Sequence, residues 1–167
     1  MSVLLWWFAS PRICAAPANC LQYFTGSSGT VKSFNWVDVA ATTRQLANQD
    51  YKICFRTEVV SSQKANKLCF ATCTLTNGGN AFAVSGTTAA NSQATVAACN
   101  NDFLIVEGGY DPTKSLTLPA NTWDRYCGTA FNTDIAGTTS ATVCSNSRLS
   151  FVPPSFVCFF HYKLYQN

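Results

Sequence analysis

Apolar residues in this chain come in short runs of alternating spacing, separated by clusters of glycine, asparagine and serine. Leu21, Gln22, Tyr23 and Phe24 end at Thr25, Gly26, Ser27, Ser28 and Gly29, and Thr30, Val31, Lys32, Ser33 and Phe34 resume, which predicts two extended pieces about a glycine-bearing turn. Tyr51 to Arg56 alternates as a strand does. Asn77, Gly78 and Gly79 form a strong turn signal, and Ala81 to Val84 follows as a further strand. Phe103 to Val106 is an apolar strand with Cys99 and Asp102 at its mouth, answered downstream by Asp124, Arg125, Tyr126, Cys127 and Gly128. Near the C-terminus Phe156, Cys158, Phe160, Tyr162 and Leu164 share one face and Val157, Phe159, His161, Lys163 and Tyr165 the other, which predicts one long strand. Residues 86–98 read as a polar loop, and only Thr43 to Gln49 has weak helical spacing. Many short strands with turn-rich connections predict an all-β fold, an antiparallel sandwich.

Composition places that fold outside the cell. The chain has 167 residues, enough for one domain with a real core, and only 11% are charged. The net charge of +3 is spread from Arg12 to Lys163, so no basic stripe follows a phosphate backbone and nucleic acid is not an expected partner. Lys52, Arg56, Lys64 and Lys67, interrupted by Glu58, read as a solvated face. Nine cysteines imply an oxidising compartment. Zinc is a poor alternative, because Cys69 and Cys73 are spaced C-x3-C, no C-x2-C pair exists and His161 is the one histidine.

Nine is an odd number, and the N-terminus offers two accounts of it. Val3 to Ala9 is a short apolar run and Ala16, Pro17, Ala18 has an A-x-A form, so residues 1–19 read as a signal peptide whose removal after Ala18 discards Cys14. They read equally as the tail of an upstream region in a longer secreted protein, with Cys14 bonded elsewhere. No apolar stretch reaches the roughly 18 residues that a membrane-spanning helix needs.

Catalytic chemistry finds little support. His161 falls inside a predicted strand, and no G-x-S-x-G nucleophile motif accompanies it. Glu107 and Asp124 form the one imaginable carboxylate pair, with nothing to raise the pKa of either. Gly108 and Gly109 precede no helix, which removes a phosphate loop. No N-x-S/T sequon occurs.

The spaced set Cys20, then Gly29, Thr30, Val31, Lys32, Ser33, Phe34, Asn35, then Tyr51, Lys52, Ile53, Cys54, then Cys99, Asn100, Asn101, Asp102, Phe103, Leu104, Ile105, then Cys127, Gly128 resembles a CUB domain. The closing Phe160 to Gln166 is similar to that family's last strand, and the match runs from about residue 20 to 166. Cys20 to Gly26 with Leu46 to Tyr51 is most similar to cysteine-rich secreted CUB proteins of arthropods. Phe34 departs from the pattern, which has proline there, and so does the missing glycine near Cys158 and Phe159.

The resemblance implies a jelly-roll-type β-sandwich stapled by disulfides, over residues 20–167, with Cys20 bonded to Cys54 and Cys99 to Cys127. Cys69, Cys73, Cys144 and Cys158 are left for two extra bridges in any of three pairings. Many CUB domains hold calcium through a tyrosine, a glutamate before the third cysteine, an aspartate three residues after it and a later aspartate. Asp102 alone matches, because no carboxylate lies between Glu58 and Asp102 and none follows Asp134. Calcium needs six to eight oxygens, so Asp102 is expected to be a turn or strand-mouth carboxylate, with no metal or other cofactor. The implied function is a secreted, non-catalytic module that binds an extracellular protein, or a glycan, through loops at one end of the sandwich. The alternatives are a regulatory or targeting module of a larger secreted protease and a structural matrix or cuticle component.

Overall fold

A computed structural model describes residues 18–34, 36, 38, 49–56, 67–76, 78, 81–84, 92–93, 99–100, 102–114, 122–146, 150–151 and 160–165. Among them the chain forms β1 (Cys20–Phe24), β2 (Ser28–Val31), β3 (Lys52–Phe55), β4 (Lys67–Thr72), β5 (Ser92–Gln93), β6 (Leu104–Tyr110), β7 (Thr122–Gly128), β8 (Val143–Ser145), β9 (Ser150–Phe151) and β10 (Phe160–Tyr165), and no helix. A three-stranded sheet runs β1-β3-β9, and a seven-stranded sheet runs β2-β10-β4-β8-β6-β7-β5. The all-β sandwich that the alternating pattern predicts is therefore the observed architecture.

Several local expectations change. The glycine-bearing turn after Phe24 does not close a hairpin, because β1 belongs to the small sheet and β2 to the large one. β1 instead pairs in parallel with β3, Tyr23 opposite Cys54 and Phe24 opposite Phe55, so the sandwich is not antiparallel throughout. Ala81 to Val84 contributes one bridge, Val84 to Gly128, rather than a strand. The polar stretch 86–98 contains β5, paired to β7 through Ser92 and Gln93. The last strand is described over Phe160–Tyr165, and the rest of the predicted alternation, residues 156–159, lies outside the described residues. Of the predicted turn at 77–79 only Gly78 is described; its φ is 72° and its amide donates to the Leu75 carbonyl at 3.0 Å. The weak helical stretch at 43–48, residues 1–17 including Cys14, and Cys158 lie outside the described residues.

The core explains which faces pair. Leu68 and Phe70 on β4, Leu104 and Val106 on β6, Val143 on β8 and Tyr126 on β7 are completely buried, and they meet Ile53 and Phe55 of the opposing sheet. Phe55 links the layers, stacked on Phe24 at 5.5 Å and edge-on to Phe70 at 5.6 Å. Burying each such side chain contributes about 1.5–3 kcal/mol, so these aromatic and branched residues fix the strand register.

Alternation places the residues between them on the outer face. Cys69 lies directly opposite Cys144 and bonds to it, and Tyr110 packs over the pair as a second small cluster. Cys20–Cys54 ties β1 to β3, and Cys99–Cys127 ties the approach to β6 to the end of β7. Loops of 34, 75 and 28 residues are thereby closed, each restricting the unfolded chain by about 4 kcal/mol in chain-entropy terms.

Candidate interaction surface

Strand registers define two ends of the sandwich. Phe160 lies opposite both Val31 and Thr72, Phe70 opposite Val143, and Tyr110 opposite both Thr122 and Cys144. The exits of β2, β4 and β6 and the start of β8 therefore share one end. The start of β6, with Cys99 and Asp102, and the close of β7 at Cys127 and Gly128 lie at the other.

Chemistry concentrates at the first end. Leaving β2, Lys32 places its Nζ 4.8 Å from the centre of the Trp36 ring, a cation–π contact. Phe34 turns outward and is 55% exposed, with its ring 5.0 Å from that of Tyr51. Burial in turn pushes the Tyr51 hydroxyl pKa up. Asp38 accepts a bond from the Thr76 amide at 3.0 Å through Oδ1 and one from the Thr76 hydroxyl through Oδ2. These two bonds, with the Lys32 charge adding to them, hold the Asp38 carboxyl below its usual pKa of 3.8. Thr30, Lys32, Trp36, Asp38, Cys73, Thr74 and Leu75 line an open cleft of about 330 Å³ here.

A second cluster occupies the same end. Asp111, buried at the exit of β6, takes bonds from the Thr113 amide at 2.8 Å and hydroxyl at 2.7 Å. The Lys114 ammonium lies 4.0 Å from its other oxygen and also contacts Asp134. Asp134 belongs to a loop knitted by its own polar groups. Asn132 accepts from the Asp134 amide at 3.0 Å and donates to the Thr139 carbonyl at 2.9 Å. Ser140 Oγ accepts from the Phe131 amide, and the Trp123 indole donates to the Thr133 carbonyl at 3.0 Å. Ile135 stands at the tip of this loop, 54% exposed.

The candidates singled out in the sequence are distributed differently. Asp102 sits half-buried in the bend before β6, at the opposite end from both clusters. Among the described residues no three histidine, cysteine or acidic side chains gather as a metal would require. Asp111 and Asp134 share the Lys114 ammonium between them. Asp124 Oδ1 accepts the Gly108 amide at 2.7 Å. Gly108 has φ 60°, and this contact fixes the bulge in the β6–β7 ladder. His161 pairs through β10 with Thr30 and Ala71. Cys73 lines the cleft.

Trp36, Asp38, Lys114 and Ile135 were not legible as site residues. Phe34 did leave a signal, as a large apolar side chain where the resemblance has proline.

A β-sandwich stapled by disulfides is an architecture common among extracellular domains. The family profile for the animal CUB domain matches residues 17–154, and the chain belongs to that family. Animal CUB domains are typically extracellular protein-interaction modules and are generally non-catalytic. Neither the curated proteins nor the solved structures contain a match.

Proposed function

We propose that this chain is a secreted, non-catalytic CUB module that binds an extracellular protein through the end of the sandwich where β2, β4 and β6 leave and β8 begins. One observation carries the reading: Phe34 and Ile135, two large apolar side chains more than half exposed, both sit at that end, together with the Trp36-lined cleft. Interfaces draw their affinity from a few aromatic and apolar anchors within a polar surround, and this end supplies that mixture. Its wording around Cys20 and Tyr51 supports a place among the cysteine-rich CUB proteins of arthropods. Asp102 is assigned a structural role, and binding needs no cation.

Photo-crosslinking tests the assignment. A benzophenone amino acid at position 34 or 135 is expected to trap one extracellular protein from native fluid, with competition by the unlabelled chain and none by its Phe34→Ser variant. The same group at Ala83, exposed at the opposite end, is the control. Equal trapping from all three positions overturns the proposal.

A further inference from the structure

The interaction end carries an apolar projection and an open cleft of mixed polarity. Ile135 projects on the 132–140 loop, and the cleft with Trp36 and Leu75 among its walls recedes. Opposite charges accompany them: Asp134, its side chain 53% exposed beside Lys114, precedes Ile135 on the loop, and Lys32, over the Trp36 ring, borders the cleft. We propose that this end is the contact between two copies of the chain, with Ile135 of each copy seated in the cleft of the other and Asp134 facing Lys32 across it.

Self-complementarity follows from placing both features on one end. A head-to-tail contact would need the projection and the recess on opposed surfaces, whereas a two-fold pair lets each copy supply both at once. The loop is also set before contact. Ala136 is held at φ 66°, a conformation that a residue with a Cβ adopts rarely, while Asn132 bonds span the loop on either side of it. A tip fixed in advance loses little freedom on docking, and an apolar tip that stays exposed in isolation gains from a recess. The inference rests on the reading of this end as the interaction surface and names the partner as a second copy.

Sedimentation equilibrium of the full chain, from micromolar to near-millimolar concentration, tests it. A monomer–dimer equilibrium is expected, and Ile135→Asp is expected to weaken it by about tenfold or more, since a carboxylate would then enter the cleft. Lys32→Glu and Asp134→Lys are each expected to weaken it, and their combination to restore part of the loss. Circular dichroism melts of every variant separate lost contact from lost fold. A monomer at all concentrations overturns the inference, as does a dimer indifferent to Ile135→Asp, or one that a non-reducing gel shows to be held by an interchain disulfide. In each of those outcomes cross-linking from positions 34 and 135 to a different protein would still stand, so the two proposals fail separately.

Discussion

Gly109 lies directly under the hydroxyl of Tyr126: a Cβ built on the glycine would fall 2.3 Å from Tyr126 Oη and 3.0 Å from Val143 Cγ1. Tyr126 cannot move aside, because it is fully buried, packs 5.0 Å from the Phe131 ring and donates to the Trp123 carbonyl at 3.2 Å. Burial and the Asp124 carboxylate both push its pKa far up, so the hydroxyl stays protonated and donating.

Gly109→Ala is therefore expected to destabilise the fold by about 1–3 kcal/mol, the usual cost of overpacking. Tyr126→Phe alone should cost about 1 kcal/mol for the lost bond. The double variant should be more stable than the two losses summed, because removing the oxygen opens the space the new methyl requires. Urea unfolding of the three variants checks the coupling.

Asn132 and Ala136 act on the projecting loop in opposite directions. Asn132→Ala removes the bonds to Asp134 and Thr139 and is expected to cost about 1–2 kcal/mol, with faster amide exchange at Asp134. Ala136→Gly relieves the left-handed backbone and should raise the melting temperature. Hydrogen exchange followed by mass spectrometry, together with thermal melts, distinguishes the two.

Acid should release Asp38 from Thr76. Its folded pKa lies below 3.8, so the tether is complete above that pH and is lost as pH falls through the depressed folded value. The Thr76 amide shift in an NMR titration is expected to show a midpoint below 3.8, and Asp38→Asn to flatten the curve.

Non-reducing digestion should yield the linked pairs Cys20–Cys54, Cys69–Cys144 and Cys99–Cys127. With Cys69 and Cys144 bonded to each other, one of the three pairings left open by the sequence remains, and a Cys73–Cys158 peptide is the expected fourth product. Replacing Cys69 and Cys144 together by serine should cost about 4 kcal/mol.

Millimolar calcium is expected to leave the melting temperature unchanged. A rise would show that Asp102 finds oxygen ligands beyond its own carboxylate.

The fold was more legible than the site because burial imposes a period on sequence and docking does not. Leu68, Phe70, Leu104 and Val106 announce their strands by facing one core. The parallel β1–β3 pair was hidden, since Thr25 to Gly29 has the same composition whether it closes a hairpin or carries the chain to another sheet. The β6 bulge was hidden too, for it depends on Asp124 reaching Gly108 from the neighbouring strand. Trp36, Asp38 and Ile135 lie in loops whose residues repeat no pattern, and they fall at one end of the sandwich only when β2, β4, β6 and β8 are aligned.

The position of β10 between β2 and β4 sets a schedule for the nascent chain. Both neighbours are synthesised long before residues 160–165 leave the ribosome, and until then each presents an open hydrogen-bonding edge. Completion of the large sheet thus waits on residues 160–165 and on long-range closure, which is slow. Loss of residues 160–165 would leave β2 without its seam to the rest of the sheet.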